Sequence, residues 1–217
     1  MTASRLPAAV LWDMDGTIVD TEPYWIEAEH ALVAEHGGVW TSEHADHLIG
    51  KDLRYSARYV REHGGVAGMS EEEIVHSLQD HVIARAGAQL DWRPGARELI
   101  AALSEAGVPQ ALVTMSWTGL AAAVAAHLPA GTFSTIVSGD LVENGKPHPE
   151  PYQLAMARLG VGSDDVVAIE DSPTGAASAA AAGVHVVCVP YLAPVDGTLY
   201  RLVPDLATLT PHTLLPE

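Results

Sequence analysis

The sequence predicts an α/β protein in which a doubly wound parallel sheet forms the core and an all-helical subdomain is inserted into it. Short apolar runs alternate with longer amphipathic stretches over most of the 217 residues, a pattern typical of strands and helices in a parallel sheet. Between about residues 20 and 90 the alternation stops and one helical pattern follows another. Hydrophobic residues make up 48% of the chain, which is enough to bury a core.

Five short apolar runs are the predicted strands of the core. They are rich in Val, Ile, Leu and Ala and are bounded by polar residues or glycine, as expected of buried parallel strands. In chain order they are Ala8–Trp12, Gln110–Val113, Thr135–Val137, Val166–Ile169 and Val184–Val189. The stretches between them predict helices, several with proline in the first turn or glycine after the end. These are Pro94–Glu105, Trp117–His127, Pro151–Leu159 and Pro173–Ala182.

The inserted segment is predicted to contain several amphipathic helices separated by glycine pairs. Apolar residues recur at helical spacing in three sets: Trp25, Ala28 and Leu32; Leu53, Ala57 and Val60; Ile74, Leu78 and Val82. Ser70 and Glu73 form a capping box before the last helix. We therefore predict residues 20–90 as a helical unit, and residues 1–19 and 91–217 as the core.

Charge and cysteine content exclude several classes of protein. The chain has 28 Asp and Glu against 11 Lys and Arg, a formal net charge of −17, so nucleic acid and anionic membranes are poor partners. The single cysteine, Cys188, excludes an internal disulfide. The apolar stretch Leu6–Trp12 is too short for a secretory signal, and no apolar run is long enough to span a membrane. We expect a cytoplasmic protein.

An acidic motif follows the first predicted strand, in the run Asp13-Met14-Asp15-Gly16-Thr17. Carboxylates at positions i and i+2 of a strand end point to the same side. They repel each other unless a cation or a shared proton relieves the repulsion. An acidic turn that caps the next helix is the alternative, but such a turn does not need two carboxylates on one face.

Two further predicted strands end in polar clusters, Thr114-Met115-Ser116 and Glu170-Asp171. Sites in open α/β sheets form at the carboxyl ends of the strands, so we expect these clusters to converge with the first acidic motif. Lys146, which precedes Pro147, could neutralise an anion between them. Taken separately, these residues could be helix caps, a solvated turn and a surface lysine.

Together, Asp13-x-Asp15-Gly16-Thr17, Thr114, Lys146 and Glu170-Asp171 resemble the four ordered motifs of the haloacid dehalogenase-like hydrolase superfamily. The helical insert resembles the first type of cap in that superfamily, and the rest of the chain its Rossmann-like core. Asp20–Pro23 and Gly145–Pro149 are similar to the sugar-phosphatase and β-phosphoglucomutase-like branch. The resemblance covers about residues 8–190, and Trp12 departs from it, since the family usually has Phe there.

The resemblance implies catalysis through a covalent intermediate. Asp13 would be the nucleophile that attacks phosphorus and forms an aspartyl-phosphate. Asp15 would protonate the leaving alkoxide as the general acid and then activate water as the base. Four groups would hold the phosphoryl oxygens: the side chains of Thr114 and Lys146 and the backbone N–H groups of Met115 and Ser116.

The resemblance also implies one Mg²⁺ ion, a hard cation that prefers oxygen ligands. Its protein ligands would be the Asp13 carboxylate, the Asp15 backbone carbonyl and the Asp171 carboxylate. Glu170 would assist nearby or through water.

Residues of the cap would select the substrate. Glu22 and Trp25 begin the first cap helix, and Gly50-Lys51 lies where this branch places a specificity loop. In β-phosphoglucomutase-like mutases a histidine acid/base stands at the position of Trp25. Because an indole cannot take that role, Trp25 favours a hydrolase, although it could equally be a core residue of the cap.

We therefore expect a Mg²⁺-dependent phosphatase acting on a small phosphorylated metabolite, with a sugar or polyol phosphate as the substrate class and a monomer or weak dimer as the assembly. The alternatives are a β-phosphoglucomutase-like phosphomutase and a catalytically silent binding protein on the same scaffold. A dehalogenase is disfavoured by Asp15, the second carboxylate of the first motif.

Overall fold

The computed structural model describes residues 5–49, 51 and 53–216. The chain divides into two compact units. Thr21–Leu90 forms the first, which we call the cap unit, and the segments on either side of it form the second, the core unit. No helix within the described residues is both long enough and apolar enough to cross a membrane.

The core unit contains a parallel sheet that confirms the predicted fold class. In the described residues it has six strands in the order β3-β2-β1-β4-β5-β6, and all neighbouring strands are parallel. The strands are β1 (Ala9–Trp12), β2 (Gln110–Val113), β3 (Thr135–Val137), β4 (Val166–Glu170), β5 (His185–Cys188) and β6 (Arg201–Leu202). The first five match the predicted apolar runs. The two-residue β6 is exposed, so it has no apolar run that could have predicted it.

Trp12, at a position where the resembled family usually has Phe, is accommodated by a polar network. Trp12 is fully buried, and its indole N–H donates to the Gln110 side-chain oxygen on the neighbouring β2, with the two atoms 2.8 Å apart. The Gln110 amide donates in turn to the Ile100 carbonyl and the Ser104 hydroxyl. The indole N–H is therefore satisfied although it is buried, as a stable core requires.

The cap unit consists of helices, as predicted. They are α1 (Glu22–Glu35), α2 (Ser42–Leu48), α3 (Leu53–His63) and α4 (Glu71–Ala88). The capping box of Ser70 and Glu73 is present at the start of α4. Of the apolar set predicted for α1, Ala28 and Leu32 are buried and Trp25 is half-buried, whereas its neighbour Tyr24 is buried.

Within the described residues, four α-helices connect the strands of the core unit, and each overlaps a predicted helix. They are α5 (Ala96–Glu105), α6 (Thr118–Ala125), α7 (Glu150–Leu159) and α8 (Pro173–Ala181). The N-terminus of α8 is capped by the Ser172 hydroxyl, which accepts a hydrogen bond from the backbone N–H of Gly175. This cap fixes the turn that follows β4, the strand whose end carries Glu170.

Candidate active site

Three adjacent strands deliver polar residues to one edge of the sheet. β1 lies between β2 and β4, with Trp12 level with Leu112 on one side and with Ile169 on the other. The chain leaves β1 at Asp13, close to the ends of β2 and β4, which lead to the other two polar clusters. The parallel topology therefore brings together three of the clusters that the sequence singled out.

Lys146 connects all three of these strand ends. Its Nζ lies 2.7 Å from Asp13 Oδ1, 2.6 Å from Glu170 Oε1 and 2.9 Å from the Val113 carbonyl oxygen. Burial alone would lower the pKa of Lys146, but the Asp13 and Glu170 carboxylates outweigh that effect and hold the pKa above its ordinary value. The lysine is thus a fixed positive charge in contact with the predicted nucleophile.

Asp13, Glu170 and Asp171 form an acidic cluster around this lysine. One carboxylate oxygen from each residue lies within 4.8 Å of the others. Burial, reinforced by the charge of Asp13, raises the pKa of Glu170 to about 7 and that of Asp171 to about 8. Three carboxylates share one ammonium group, so the cluster retains negative charge that a hard divalent cation can neutralise.

This excess charge makes the stability of the metal-free protein depend on pH. The carboxyls of Glu170 and Asp171 titrate near 4 when unfolded but at about 7 and 8 when folded. Between these values the folded state holds more protons, so the free energy of unfolding falls as pH rises. From pH 5 to 8 we expect a loss of about 6 kcal/mol if the two carboxyls titrate independently, measured by urea denaturation in a chelator. A free energy of unfolding that does not change over this range would contradict the raised pKa values of Glu170 and Asp171. Asp171→Asn is expected to make the free energy of unfolding depend less on pH.

The Asp15 carboxylate accepts hydrogen bonds from side chains that are not part of the acidic cluster. Its Oδ2 accepts hydrogen bonds from the Thr114 hydroxyl at 3.0 Å and from the Ser116 hydroxyl at 2.8 Å. The two carboxylates of the first motif therefore have different surroundings, one against an ammonium group and the other against hydroxyl groups. Such a difference suits a pair in which one carboxylate is a nucleophile and the other transfers protons.

The turn after β2 makes hydrogen bonds within the candidate site. The Ser116 backbone N–H, predicted to assist the phosphoryl oxygens, donates to the Thr114 hydroxyl oxygen at 3.0 Å. Met115 offers its thioether sulfur to the backbone N–H of Lys146 at 3.2 Å. In this structure both residues support the neighbours of the candidate site, and a direct role toward phosphate stays a prediction.

The glycine of the first motif is required by geometry. Gly16 has φ of +82°, a conformation that side chains rarely adopt. A Cβ atom there would lie 2.3 Å from Asp171 Oδ2, so Gly16 also lets the Asp171 carboxylate, directly after β4, approach the first motif. The next residue, Thr17, donates its hydroxyl to Asp13 Oδ2 at 2.8 Å and fixes the second oxygen of the predicted nucleophile.

Two residues around Glu170 were not singled out by the sequence. Tyr152, fully buried on α7, donates its hydroxyl to the same Glu170 oxygen that Lys146 contacts. A Cβ atom at Gly175 on α8 would lie 2.0 Å from Glu170 Oε2. The isolated glycine inside a predicted helix was the available signal, because such glycines often mark a close approach.

Removing the Tyr152 hydroxyl is expected to loosen Glu170, which it contacts, and thereby the Lys146 ammonium group that Glu170 holds. We expect Tyr152→Phe to lower kcat by about 10- to 100-fold, as the loss of supporting partners does at metal sites, while KM changes less. Steady-state phosphate release measures this. Tyr200→Phe, on a half-buried tyrosine of the core unit, is the control, and an unchanged kcat in Tyr152→Phe would refute the positioning role.

The cap residues predicted to contact substrate belong to the cap unit. Glu22 is the first residue of α1, Trp25 lies in its first turn, and Lys51 is exposed between α2 and α3. Gly50 lies outside the described residues. The roles of these four residues toward a substrate stay predictions.

Comparison with known proteins identifies the class. The sequence profile of the haloacid dehalogenase-like hydrolases matches residues 10–189, which is most of the chain and includes every member of the acidic cluster. The chain belongs to the haloacid dehalogenase-like hydrolase family, and the resemblance carried by the four motifs is confirmed.

Individual relatives narrow the class to its sugar-phosphatase branch. Hexitol phosphatase A of Escherichia coli is 32% identical over 212 residues, covering 93% of this chain and 94% of that protein. Phosphorylated carbohydrates phosphatase of Thermotoga maritima is 31% identical over 180 residues, covering 82% of each. The crystal structure of CbbY from Rhodobacter sphaeroides in complex with phosphate is 27% identical, with a TM-score of 0.80 over 93% of this chain and 96% of that one.

Proposed function

We propose that this protein is a Mg²⁺-dependent phosphatase that hydrolyses a small phosphomonoester, of the sugar or polyol phosphate class, through an aspartyl-phosphate on Asp13. The observation that carries the proposal is the pairing of Asp13 with Lys146 beside a separate Asp15 carboxylate held by two hydroxyl groups. The similarity to hexitol phosphatase A of E. coli and to the phosphorylated carbohydrates phosphatase of T. maritima supports the same substrate class.

In the first half of the reaction a carboxylate oxygen of Asp13 forms a bond to phosphorus while the bond to the leaving alkoxide breaks. The Asp15 carboxyl gives its proton to the alkoxide, which leaves as an alcohol. The Lys146 ammonium, 2.7 Å from Asp13 Oδ1, compensates negative charge beside the phosphoryl group that is being transferred. The product is an aspartyl-phosphate and a carboxylate at Asp15.

In the second half Asp15 acts as a base. Its carboxylate takes a proton from water, whose oxygen attacks phosphorus as the bond to Asp13 breaks. Inorganic phosphate leaves, and both aspartates return to their starting protonation. The hydrogen bonds from Thr114 and Ser116 hold Asp15 in one orientation through both halves.

The acidic cluster is suited to hold Mg²⁺. Asp13 and Asp171 would supply carboxylate oxygens and Asp15 its backbone carbonyl, whereas Glu170 Oε1 already accepts from Lys146 and Tyr152 and is better placed to anchor the lysine. When bound, the ion would withdraw charge from the phosphoryl oxygens.

Removing the metal is expected to abolish turnover. Because the cluster has a single ammonium group for three carboxylates, we expect the rate with p-nitrophenyl phosphate to fall by at least about 100-fold in excess chelator. Adding Mg²⁺ beyond the chelator is expected to restore it, as measured by nitrophenolate absorbance. Full activity in chelator would reject the metal assignment.

A phosphatase and a mutase are separated by their products. Trp25 favours hydrolysis because an indole offers no acid/base group for a sugar hydroxyl. With β-glucose 1-phosphate, the phosphatase assignment predicts that phosphate is released faster than glucose 6-phosphate appears. The opposite order would establish the mutase.

A further inference from the structure

A cationic side chain without an anionic partner lies in the core unit. The guanidinium carbon of Arg93 is 3.8 Å from the centroid of the Tyr191 ring. Among the residues that the structure describes, the Arg93 side chain makes no hydrogen bond or ion pair, and its Nε is buried without an acceptor. Since the chain has 28 acidic and 11 basic residues, a buried guanidinium nitrogen without a hydrogen-bond acceptor requires an explanation.

The backbone holds Arg93 next to the first motif. Its N–H donates to the Ile18 carbonyl at 2.8 Å, and the Asp20 N–H donates to the Asp91 carbonyl at 2.8 Å. Between these two bonds, Val19 forms an antiparallel bridge with Trp92. Arg93 therefore belongs to a short paired segment that continues directly from the loop carrying Asp13 and Asp15.

The Tyr191 ring connects Arg93 with that loop. A Cβ atom at Gly16 would lie 3.4 Å from Tyr191 Cδ1, so the ring packs against the backbone beside Asp15. The Tyr191 hydroxyl donates to Asp20 Oδ2 at 2.6 Å, while the other oxygen of that carboxylate, Oδ1, is buried without a hydrogen-bond partner among the described residues. A single aromatic ring thus separates the guanidinium from the first motif.

Stacking leaves the guanidinium able to bind an anion. A ring contacts the flat face of the group, whereas its N–H donors point outward in the plane and match the two oxygens of a carboxylate or phosphate. Arg97 provides the contrast, since it lies 5.4 Å from the centroid of the Trp92 ring and is exposed to water. Arg93 is half-buried, so water competes less for its donors.

We propose that Arg93, stacked on Tyr191, binds a second anionic group of the substrate whose phosphomonoester reacts at Asp13. This inference rests on the proposed function and narrows it to small phosphomonoesters that also carry a carboxylate or a second phosphate. The two terminal nitrogens of Arg93 are the donors that remain to contact that group, because Nε is enclosed.

The test compares substrates that differ in one anionic group. 3-Phosphoglycerate is paired with glycerol 3-phosphate, and fructose 1,6-bisphosphate with fructose 1-phosphate, and the ratio of kcat/KM within each pair is measured. We expect the wild type to favour the doubly charged member of at least one pair, and Arg93→Gln to lower that ratio about 10- to 100-fold, mainly through KM. The pair that responds shows whether the group is a carboxylate or a phosphate. Arg97→Gln is the control and is expected to leave the ratio unchanged.

Three outcomes overturn the inference. The first is a wild type without preference for either doubly charged substrate, and the second is an Arg93→Gln variant that loses activity equally on both members of each pair. The third is the absence of any p-nitrophenyl phosphate hydrolysis with Mg²⁺. It refutes the proposed function itself, whereas the first two outcomes refute only the role of Arg93. Should Arg93→Gln not fold, Arg93→Lys, which keeps the charge but loses the planar donors, is expected to lower the ratio in the same direction.

Discussion

Asp13→Asn is expected to lower kcat for p-nitrophenyl phosphate by about 10⁴-fold or more. An amide oxygen is a poor nucleophile, so the covalent step is lost while the shape of the side chain is kept. The hydrogen bonds from Lys146 and Thr17 can still be accepted by the amide oxygen, one at a time. The measurement is steady-state nitrophenolate release in saturating Mg²⁺.

Two comparisons make the Asp13 result specific. Asp164→Asn, on an exposed residue near the start of β4, changes the net charge equally and is expected to keep full activity. Circular dichroism is expected to show the same secondary structure for both variants. If Asp13→Asn retained a tenth of the wild-type kcat, Asp13 would not be the nucleophile.

Lys146→Met is expected to affect both stability and activity. It removes the ammonium group that contacts Asp13 Oδ1 and Glu170 Oε1 and leaves their buried charges uncompensated. Losing one partner of a buried ion pair costs about 3–5 kcal/mol, measured here by urea denaturation in chelator. The kcat is expected to fall by at least about 100-fold, because the charge beside the phosphoryl group is lost.

Magnesium distinguishes a charge effect from a packing effect in this variant. A divalent cation in the acidic cluster would replace part of the missing positive charge, so we expect Mg²⁺ to stabilise Lys146→Met more than the wild type. Lys51→Met, on an exposed lysine, is the control for stability. Equal stabilisation of the variant and the wild type by Mg²⁺ would contradict the electrostatic account.

The sequence could predict the sheet and the meeting of its polar ends because both follow from short-range rules. Strands buried on two faces, such as β4, give unbroken apolar runs. The carboxyl ends of parallel neighbours lie at one edge, so Asp13, Thr114 and Glu170 had to approach one another once the strands were correctly placed.

The partners of individual side chains were not predictable in the same way. Helical spacing places an apolar stripe only to within about one residue, so it leaves open whether Trp25 is buried, and α1 buries the neighbouring Tyr24. The contact between Tyr152 and Glu170, and that between Arg93 and Tyr191, join elements that are distant in the chain. Their geometry depends on tertiary packing, which no local pattern encodes.

The most direct test of the account is to look for the covalent intermediate. The enzyme with Mg²⁺ is mixed with p-nitrophenyl phosphate, quenched in acid within milliseconds, digested and analysed by mass spectrometry. We expect one added phosphoryl group on the peptide that contains Asp13, removable by hydroxylamine and absent from Asp13→Asn. Turnover at full rate with the phosphoryl group on another residue, or with water attacking the substrate directly and no labelled peptide at any quench time, would contradict this expectation.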